Sequence, residues 1–189
     1  MILIISLCKE KLHDLEFVKP IEKVVSSLGE KCSVKNYIEV AKTDLEKADK
    51  VLLSGTSLMD FDYFNHMDKF SWLKDCEKPV LGICAGMEII VHEFGGKIEG
   101  DGKKVKDKVE IGANSVNFEK DFLGISKGKH KVYSLHQLGV RKVGKNFEVY
   151  AKSNKGIQAI KHRSKGIYGV LFHPEVYNHE VIENFVKIN

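Results

Sequence analysis

The run Pro79-Val80-Leu81-Gly82-Ile83-Cys84-Ala85-Gly86-Met87-Glu88 decides how this chain is read. Residues 80–83 are short and apolar and read as a buried strand, and from Met87 onward apolar residues recur at helical spacing. A cysteine at that junction, with glycines two before and two after, is the thiol form of a nucleophile elbow, in which a sharp strand-to-helix turn lifts the side chain above the sheet. A β-carbon at either glycine would collide with the strand or the helix. The helix that follows points its N-terminus at the sulfur, and its unpaired N–H groups favour the thiolate, which is the reactive form. The plain alternative is a buried strand-end cysteine, since free Cys is among the most buried residue types. The paired glycines and the change of period favour the nucleophile.

Toward the N-terminus the chain alternates strand and helix. Residues 2–5 read as a buried strand, 14–28 as a helix stopped by Gly29, and 31–37 as a second strand. A short helix capped by Thr43 or Asp44 follows, then a strand at 51–54 ending at Gly55. Residues 60–75 read as a helix whose Phe61, Phe64, Phe70 and Trp72 are assigned to the core rather than to a ligand box. Alternating β and α units predict a parallel sheet covered on both faces. Ligands bind such sheets beyond the carboxyl ends of the strands, and Cys84 and the Ser54-Gly55 turn both lie at such ends.

Beyond Gly95 the pattern shortens, and hairpins are predicted around 105–118 and 131–140. Two further strands at 156–161 and 166–172 flank a polar turn at 163–165, and a helix near 179–188 closes the chain. No repeat, linker or boundary interrupts, so residues 1–189 are predicted to form one domain.

The run Gly169-Val170-Leu171-Phe172-His173-Pro174-Glu175 reads as an apolar strand ending in a His-x-Glu pair. A histidine takes a thiol proton, and a carboxylate two residues on fixes its tautomer and orientation. Pro174 locks the backbone between them. The plain alternative is a surface-polar strand end.

Composition excludes several function classes. With 43% hydrophobic and 30% charged residues, the chain fits a soluble globular domain. The net charge of +4 is spread along the chain, and the local cluster Lys103, Lys104, Lys106 and Lys108 reads as a solvated loop. No nucleic-acid-binding motif accompanies it, although a basic rim suits a phosphate-bearing partner or an acidic protein surface. Cys8, Cys32, Cys76 and Cys84 contain no C-x-x-C, and the histidines lack paired helical spacing, so no metal site is expected. No secretory signal and no bilayer-length apolar stretch are read, which gives an expectation of a reducing, cytoplasmic setting with no membrane partner.

On the segments Gly82-Ile83-Cys84-Ala85-Gly86-Met87 and Tyr168-Gly169-Val170-Leu171-Phe172-His173-Pro174-Glu175-Val176, the chain resembles the class I glutamine amidotransferase family of the Cys-His-Glu type. The resemblance runs over almost the whole length, including Leu52-Leu53-Ser54-Gly55 and Ile182-Glu183-Asn184-Phe185. Within the family it is most similar to the free-standing glutaminase subunits of two-subunit GMP synthases. This implies a three-layer, flavodoxin-like, mostly parallel sheet with helices on both faces and extra short antiparallel strands in the second half. It also implies hydrolysis of glutamine to glutamate and ammonia through a Cys84 thioester, with His173 and Glu175 completing a triad. Ala85, Gly55 and Thr56 are implied as the oxyanion hole, and Glu88, His136 and Met87 as substrate-binding residues. No cofactor is implied in this chain. Ammonia would pass to a separate synthetase subunit of the ATP-pyrophosphatase type, which uses ATP, and this chain carries no G-x-x-x-x-G-K-[ST] loop of its own.

Three departures from the family pattern stand out. Ser54-Gly55-Thr56-Ser57 replaces the usual Ser-Gly-Gly-Pro, and Thr56 reaches positive φ less readily than glycine, so an oxyanion hole that forms only on partner binding is an open expectation. Glu88 replaces a glutamine; an ionised carboxylate only accepts hydrogen bonds where an amide also donates. Its plain alternative is an exposed first-turn residue stabilised by the helix dipole. Leu135 and Leu138 stand at the serine and aspartate of Ser-His-x-Asp-x-Val, with His136 and Val140 retained. The stretch Ser134-Leu135-His136-Gln137 also resembles the gamma-glutamyl hydrolase branch. Two alternatives therefore stay open: a gamma-glutamyl hydrolase without an ammonia channel, and a catalytically weak regulatory subunit.

Overall fold

The computed structural model describes residues 1–99 and 109–188. Its strands are β1 (Ile2–Ser6), β2 (Cys32–Asn36), β3 (Lys50–Leu53), β4 (Val80–Ile83), β5 (Lys97–Ile98) and β6 (Glu110–Phe118). They continue with β7 (Gly128–His136), β8 (Val140–Lys142), β9 (Phe147–Ser153), β10 (Gly156–His162) and β11 (Ile167–Val170). The helices are α1 (Asp14–Phe17), α2 (Lys19–Ser27), α3 (Lys42–Lys47), α4 (Ala85–Glu93) and α5 (His179–Val186).

All the strands join one mixed sheet with the main order β2-β1-β3-β4-β11-β10-β9-β6-β7. The first five in that order pair parallel. From β10 outward the pairing is antiparallel. The expected α/β layering is present, and the antiparallel part is larger than the sequence suggested, because β6 and β7 pair over nine residues each.

Strand alternation builds two cores, one on each face. Ile2 and Ile4 of β1 point into one, with Ile21 and Val25 of α2 and Ile182 and Phe185 of α5. Leu3 and Ile5 point into the other, with Met87 and Ile90 of α4, Tyr63 and Phe70. Each such side chain, fully buried, contributes about 1.5–3 kcal/mol of transfer free energy.

Several local expectations are corrected. The helix predicted at 14–28 is broken at Val18, because Pro20 has no N–H to donate one turn back; α2 restarts at Lys19 and ends at Ser27, two residues before Gly29, whose φ is +77°. Residues Asp62–Lys74 form 3-10 turns kinked at His66 rather than an α-helix, and tertiary contacts anchor them: Tyr37 donates to Asp62 and Tyr63 donates to Glu88. Phe70 is buried as expected, while Phe61, Phe64 and Trp72 pack only partly against the same core and Phe61 also lines the cavity beside Cys84. The cap of α3 is Ala41, whose N–H donates to Asp44 Oδ2 at 3.0 Å, so Asp44 acts from inside the first turn and Thr43 does not cap. The hairpin expected at 131–140 does not exist. Residues 131–136 belong to β7, which pairs with β6 from Glu110↔His136 to Phe118↔Gly128, while β8 turns away to β10 and β5. Residues 105–108 of the other predicted hairpin, and Lys103, Lys104, Lys106 and Lys108, lie outside the described residues.

Among the described residues no helix is long and apolar enough to cross a membrane.

Candidate active site at the end of β4

The elbow forms where the glycines allow it. Cys84 has φ 51° and ψ −106°, one of two non-glycine residues with positive φ among those described. Holding such a backbone costs about 1–3 kcal/mol, which the surroundings offset. A β-carbon on Gly82 would lie 2.5 Å from the Gly86 carbonyl carbon, and one on Gly86 would lie 2.6 Å from the Leu53 carbonyl oxygen. The two glycines therefore let β3, β4 and α4 close on one another. The Cys84 N–H donates to Val170 O at 2.8 Å, its carbonyl accepts the Glu88 N–H at 3.1 Å, and its Sγ approaches Leu135 O at 3.6 Å. The helix begins at Ala85, not Met87, so the Ala85 N–H is in the first turn and has no intrahelical acceptor.

His173 arrives from the neighbouring strand. Past the end of β11 its N–H donates to Tyr133 O on β7 at 2.8 Å. Its Nδ1 lies 2.7 Å from Glu175 Oε1, and both side chains are almost fully buried. The loop between is fixed by Val176 N–H to His173 O and Asn178 N–H to Pro174 O. Phe17 and Tyr133 flank the imidazole with ring centroids 5.6 and 6.5 Å away. Nε2 is buried without a hydrogen-bond partner. Gly55 marks where the two halves meet: a β-carbon there would sit 2.6 Å from His173 Cε1 and 3.5 Å from Cys84 Cβ.

Charge follows the geometry. Burial pushes the Cys84 thiol up, against the pull of His173. Burial also disfavours a charged His173, but the Glu175 carboxylate and the Cys84 sulfur outweigh it and hold the imidazole well above its ordinary value.

Beside the sulfur lies a cavity of about 20 Å³, lined by Thr56, Leu58, Tyr63, Cys84, Ala85, Glu88 and residues 135–138. That volume holds about one water. Glu88 faces it and is 3% exposed, so the exposed first-turn reading is wrong. Tyr63 O–H donates to Glu88 Oε2 at 2.5 Å, and burial pushes the Glu88 carboxyl up to about 7 against the pull of that hydroxyl. His136 also lines the cavity, but both its ring nitrogens face oxygens: Nδ1 is 3.1 Å from Leu138 O and Nε2 is 3.1 Å from Glu110 Oε2. Met87 does not line the cavity. It is fully buried in the α4 core, with its Cγ 2.9 Å from where a Gly169 β-carbon would stand.

Three contributors were missed in the sequence. Tyr63 was hidden in an aromatic stretch read as helix. Gln137 closes the cavity by donating from Nε2 to Leu58 O at 2.5 Å, a contact across 79 positions that no local pattern encodes. Asp60 accepts from Thr56 Oγ1 at 2.7 Å and from the Lys9 N–H at 2.8 Å, tying the 54–57 loop to the chain after β1. Among the described residues no group of three His, Cys, Asp or Glu side chains is arranged to hold a metal.

A strained cysteine between a parallel strand and a helix, beside a buried histidine–carboxylate pair that follows the next parallel strand, defines an α/β protein with a candidate site at the carboxyl ends of its strands. The family comparison narrows this: the family model for class-I glutamine amidotransferases matches residues 11–188, and the chain belongs to that family. The chain is similar to a subunit of the glutamine-hydrolyzing GMP synthase of Methanobrevibacter smithii, 37% identical over 122 residues covering 62% of this chain and 63% of that protein. It is also similar to the corresponding subunit in Methanosphaera stadtmanae, 40% identical over 115 residues covering 58% of this chain and 60% of that protein. The matches therefore span less than two thirds of these relatives. The fold is shared with a candidate GMP synthase subunit of Thermoplasma acidophilum, with TM-score 0.82 at 22% identity over 98% of this chain and 92% of that one.

Proposed function

We propose that this chain is a glutaminase that hydrolyses glutamine to glutamate and ammonia and passes the ammonia to a separate synthetase subunit, as in GMP formation. The observation that carries this reading is the convergence on Gly55 of the Cys84 β-carbon and the His173 ring, with Glu175 Oε1 2.7 Å behind the ring.

In this mechanism the Cys84 thiolate attacks the side-chain amide carbon of glutamine. The carbonyl electrons move to oxygen, where the N–H groups of Ala85 and Thr56 receive the negative charge. Collapse of that intermediate expels the nitrogen, which takes a proton from His173 Nε2 and leaves as ammonia. A water, deprotonated by His173, then attacks the glutamyl thioester, releasing glutamate and restoring the sulfur. Glu175 holds the imidazole in the tautomer that places a proton at Nδ1. Glu88 and His136 contribute to the walls of the substrate pocket. The hydrolysis uses no cofactor from this chain. ATP is consumed on the partner, an ATP-pyrophosphatase-type synthetase, and the four free thiols suit a reducing cytoplasm.

A cavity of about 20 Å³ does not admit glutamine, so the Leu58–Gln137 contact must open for turnover. That requirement supports a glutaminase whose rate depends on its partner. The test is ammonia release from glutamine with and without a GMP synthase subunit of the ATP-pyrophosphatase type, for the wild type and Cys84→Ala. Partner-stimulated release that vanishes in Cys84→Ala is expected. Partner-independent cleavage of gamma-glutamyl peptides would instead identify a gamma-glutamyl hydrolase, and inactivity on every substrate would identify a regulatory subunit.

A further inference from the structure

The loop after β3 carries an arrangement that the Thr56 substitution alone does not reveal. Ser54 is fully buried, and its hydroxyl accepts the Leu7 N–H at 3.1 Å while donating to the Gly55 carbonyl at 2.7 Å. Cys8 approaches the same carbonyl from Sγ at 3.9 Å. Leu7 and Cys8 follow β1, so the Gly55 carbonyl is turned toward the β1 side of β3. No described peptide bond is cis, so the N–H across that bond points the opposite way, toward the β4 side where Cys84 stands. The Thr56 N–H has no acceptor among the described residues, and Thr56 lines the same cavity as Cys84 and Ala85. Neither Gly55 nor Thr56 has a positive φ, so threonine is accommodated there without backbone strain. Thr56 Oγ1 donates to Asp60 Oδ2 at 2.7 Å. Burial pushes the Cys8 thiol up to about 12, against the pull of the neighbouring Thr56 and Ser6 side chains, which keeps it protonated and able to donate.

We infer that Ser54, assisted by Cys8, clamps the Gly55–Thr56 peptide in the orientation that aims the Thr56 N–H at the reacting centre, so that the second oxyanion donor stands ready before ligand or partner binds. The two side chains are positioning residues, since neither touches substrate. Preorganised donors of this kind act without reorganisation when charge develops. Any need for a partner then lies in admitting substrate past Leu58 and Gln137, not in turning a peptide over. The catalytic consequence rests on the glutaminase reading above; the clamp itself does not.

The test uses the full chain, assayed with the synthetase partner, in the wild type and the variants Ser54→Ala, Ser54→Thr and Cys8→Ala. Ser54→Ala is expected to lower kcat on glutamine by about 10- to 100-fold, short of the 100- to 1,000-fold lost when such a donor is removed outright, with KM within about twofold. Ser54→Thr, which keeps the hydroxyl, restores most of that loss, and Cys8→Ala lowers kcat by about threefold, in keeping with a weak thiol donor. Alkylation of Cys84 by iodoacetamide, read by peptide mass spectrometry, needs no oxyanion hole and keeps its wild-type rate in Ser54→Ala. The amide resonance of Thr56, read by NMR on the free protein, moves in Ser54→Ala and returns in Ser54→Thr. A Ser54→Ala protein with wild-type kcat or an unmoved Thr56 resonance overturns the proposal. A wild-type protein that releases no ammonia overturns the glutaminase reading instead, and the Thr56 resonance then decides the clamp by itself.

Discussion

The backbone N–H of His173 is held by the carbonyl of Tyr133, 2.8 Å away on β7. The imidazole, carried past the end of the parallel strand β11, is therefore anchored by the antiparallel half of the sheet, while the sulfur it faces is delivered by β4. β7 serves both, since the carbonyl of Leu135, two residues past Tyr133, faces Cys84 Sγ. Changes at this seam are expected to act on chemistry before they act on the fold.

Gly55→Ala tests the seam most directly. The backbone at Gly55 is open to alanine, but the new methyl would meet His173 Cε1 at 2.6 Å. The ring must swing off the sulfur, so kcat/KM for glutamine should fall more than about 100-fold, the scale of a misplaced reacting group. Circular dichroism should stay native; a variant with normal turnover would mean that ring and sulfur do not work together.

Glu175→Gln removes the carboxylate that holds His173 above its ordinary pKa. The amide keeps the shape but loses the charge, and kcat should drop by about 100- to 10,000-fold, in line with triads whose orienting carboxylate is neutralised. The acid limb of kcat/KM belongs to the coupled Cys84–His173 pair. Without the carboxylate the imidazole releases its proton more readily, so that limb should move to lower pH in a pH–rate profile.

Gln137→Ala cuts the contact that closes the cavity over Cys84, which is 5% exposed in the closed form. Iodoacetamide labelling of Cys84 should speed up by about tenfold, a shift of roughly 1.4 kcal/mol in the closed–open balance. Unchanged labelling would show that the 57–59 loop is held shut by other contacts.

Glu88 makes the fold sensitive to alkali. Its carboxyl is pushed from 4.5 up to about 7 by burial, so the folded state keeps a proton that the unfolded chain has already released. Between those values the unfolded state binds fewer protons, and stability falls as pH rises; above about 7 the cost levels off at about 3 kcal/mol. Glu88→Gln carries no such charge. Measured by urea denaturation, its stability relative to the wild type should be greater at pH 8 than at pH 5, and equal differences at both would show that Glu88 is not buried as a neutral acid.

Much of the site was legible because its parts are local. Gly82-Ile83-Cys84-Ala85-Gly86 specifies a turn that only glycines at both positions permit, and the structure supplies the reason in the close approaches of Gly86 to β3 and Gly82 to α4. His173-Pro174-Glu175 specifies its own pairing, since the proline fixes the step between the two side chains. The unbroken apolar run of β1 likewise announced a strand buried on both faces. Met87 lies away from the cavity because the packing of α4 under β11 turns it inward, and adjacency to the elbow does not say which face of α4 a side chain takes.

The sequence alone determined the succession of strands β1 to β4, the elbow, and the His-x-Glu pair, because each is written in the steric and hydrogen-bonding preferences of residues a few positions apart. Only the tertiary structure decided that β7 would cross the front of the site, that Tyr63 would supply a hydrogen bond to the buried Glu88, that Gln137 would shut the cavity, and that Ser54 would turn the Gly55 carbonyl toward β1. Those outcomes depend on which segments meet in space, and burial and hydrogen bonding between distant residues are set by the assembled sheet rather than by any window of the chain.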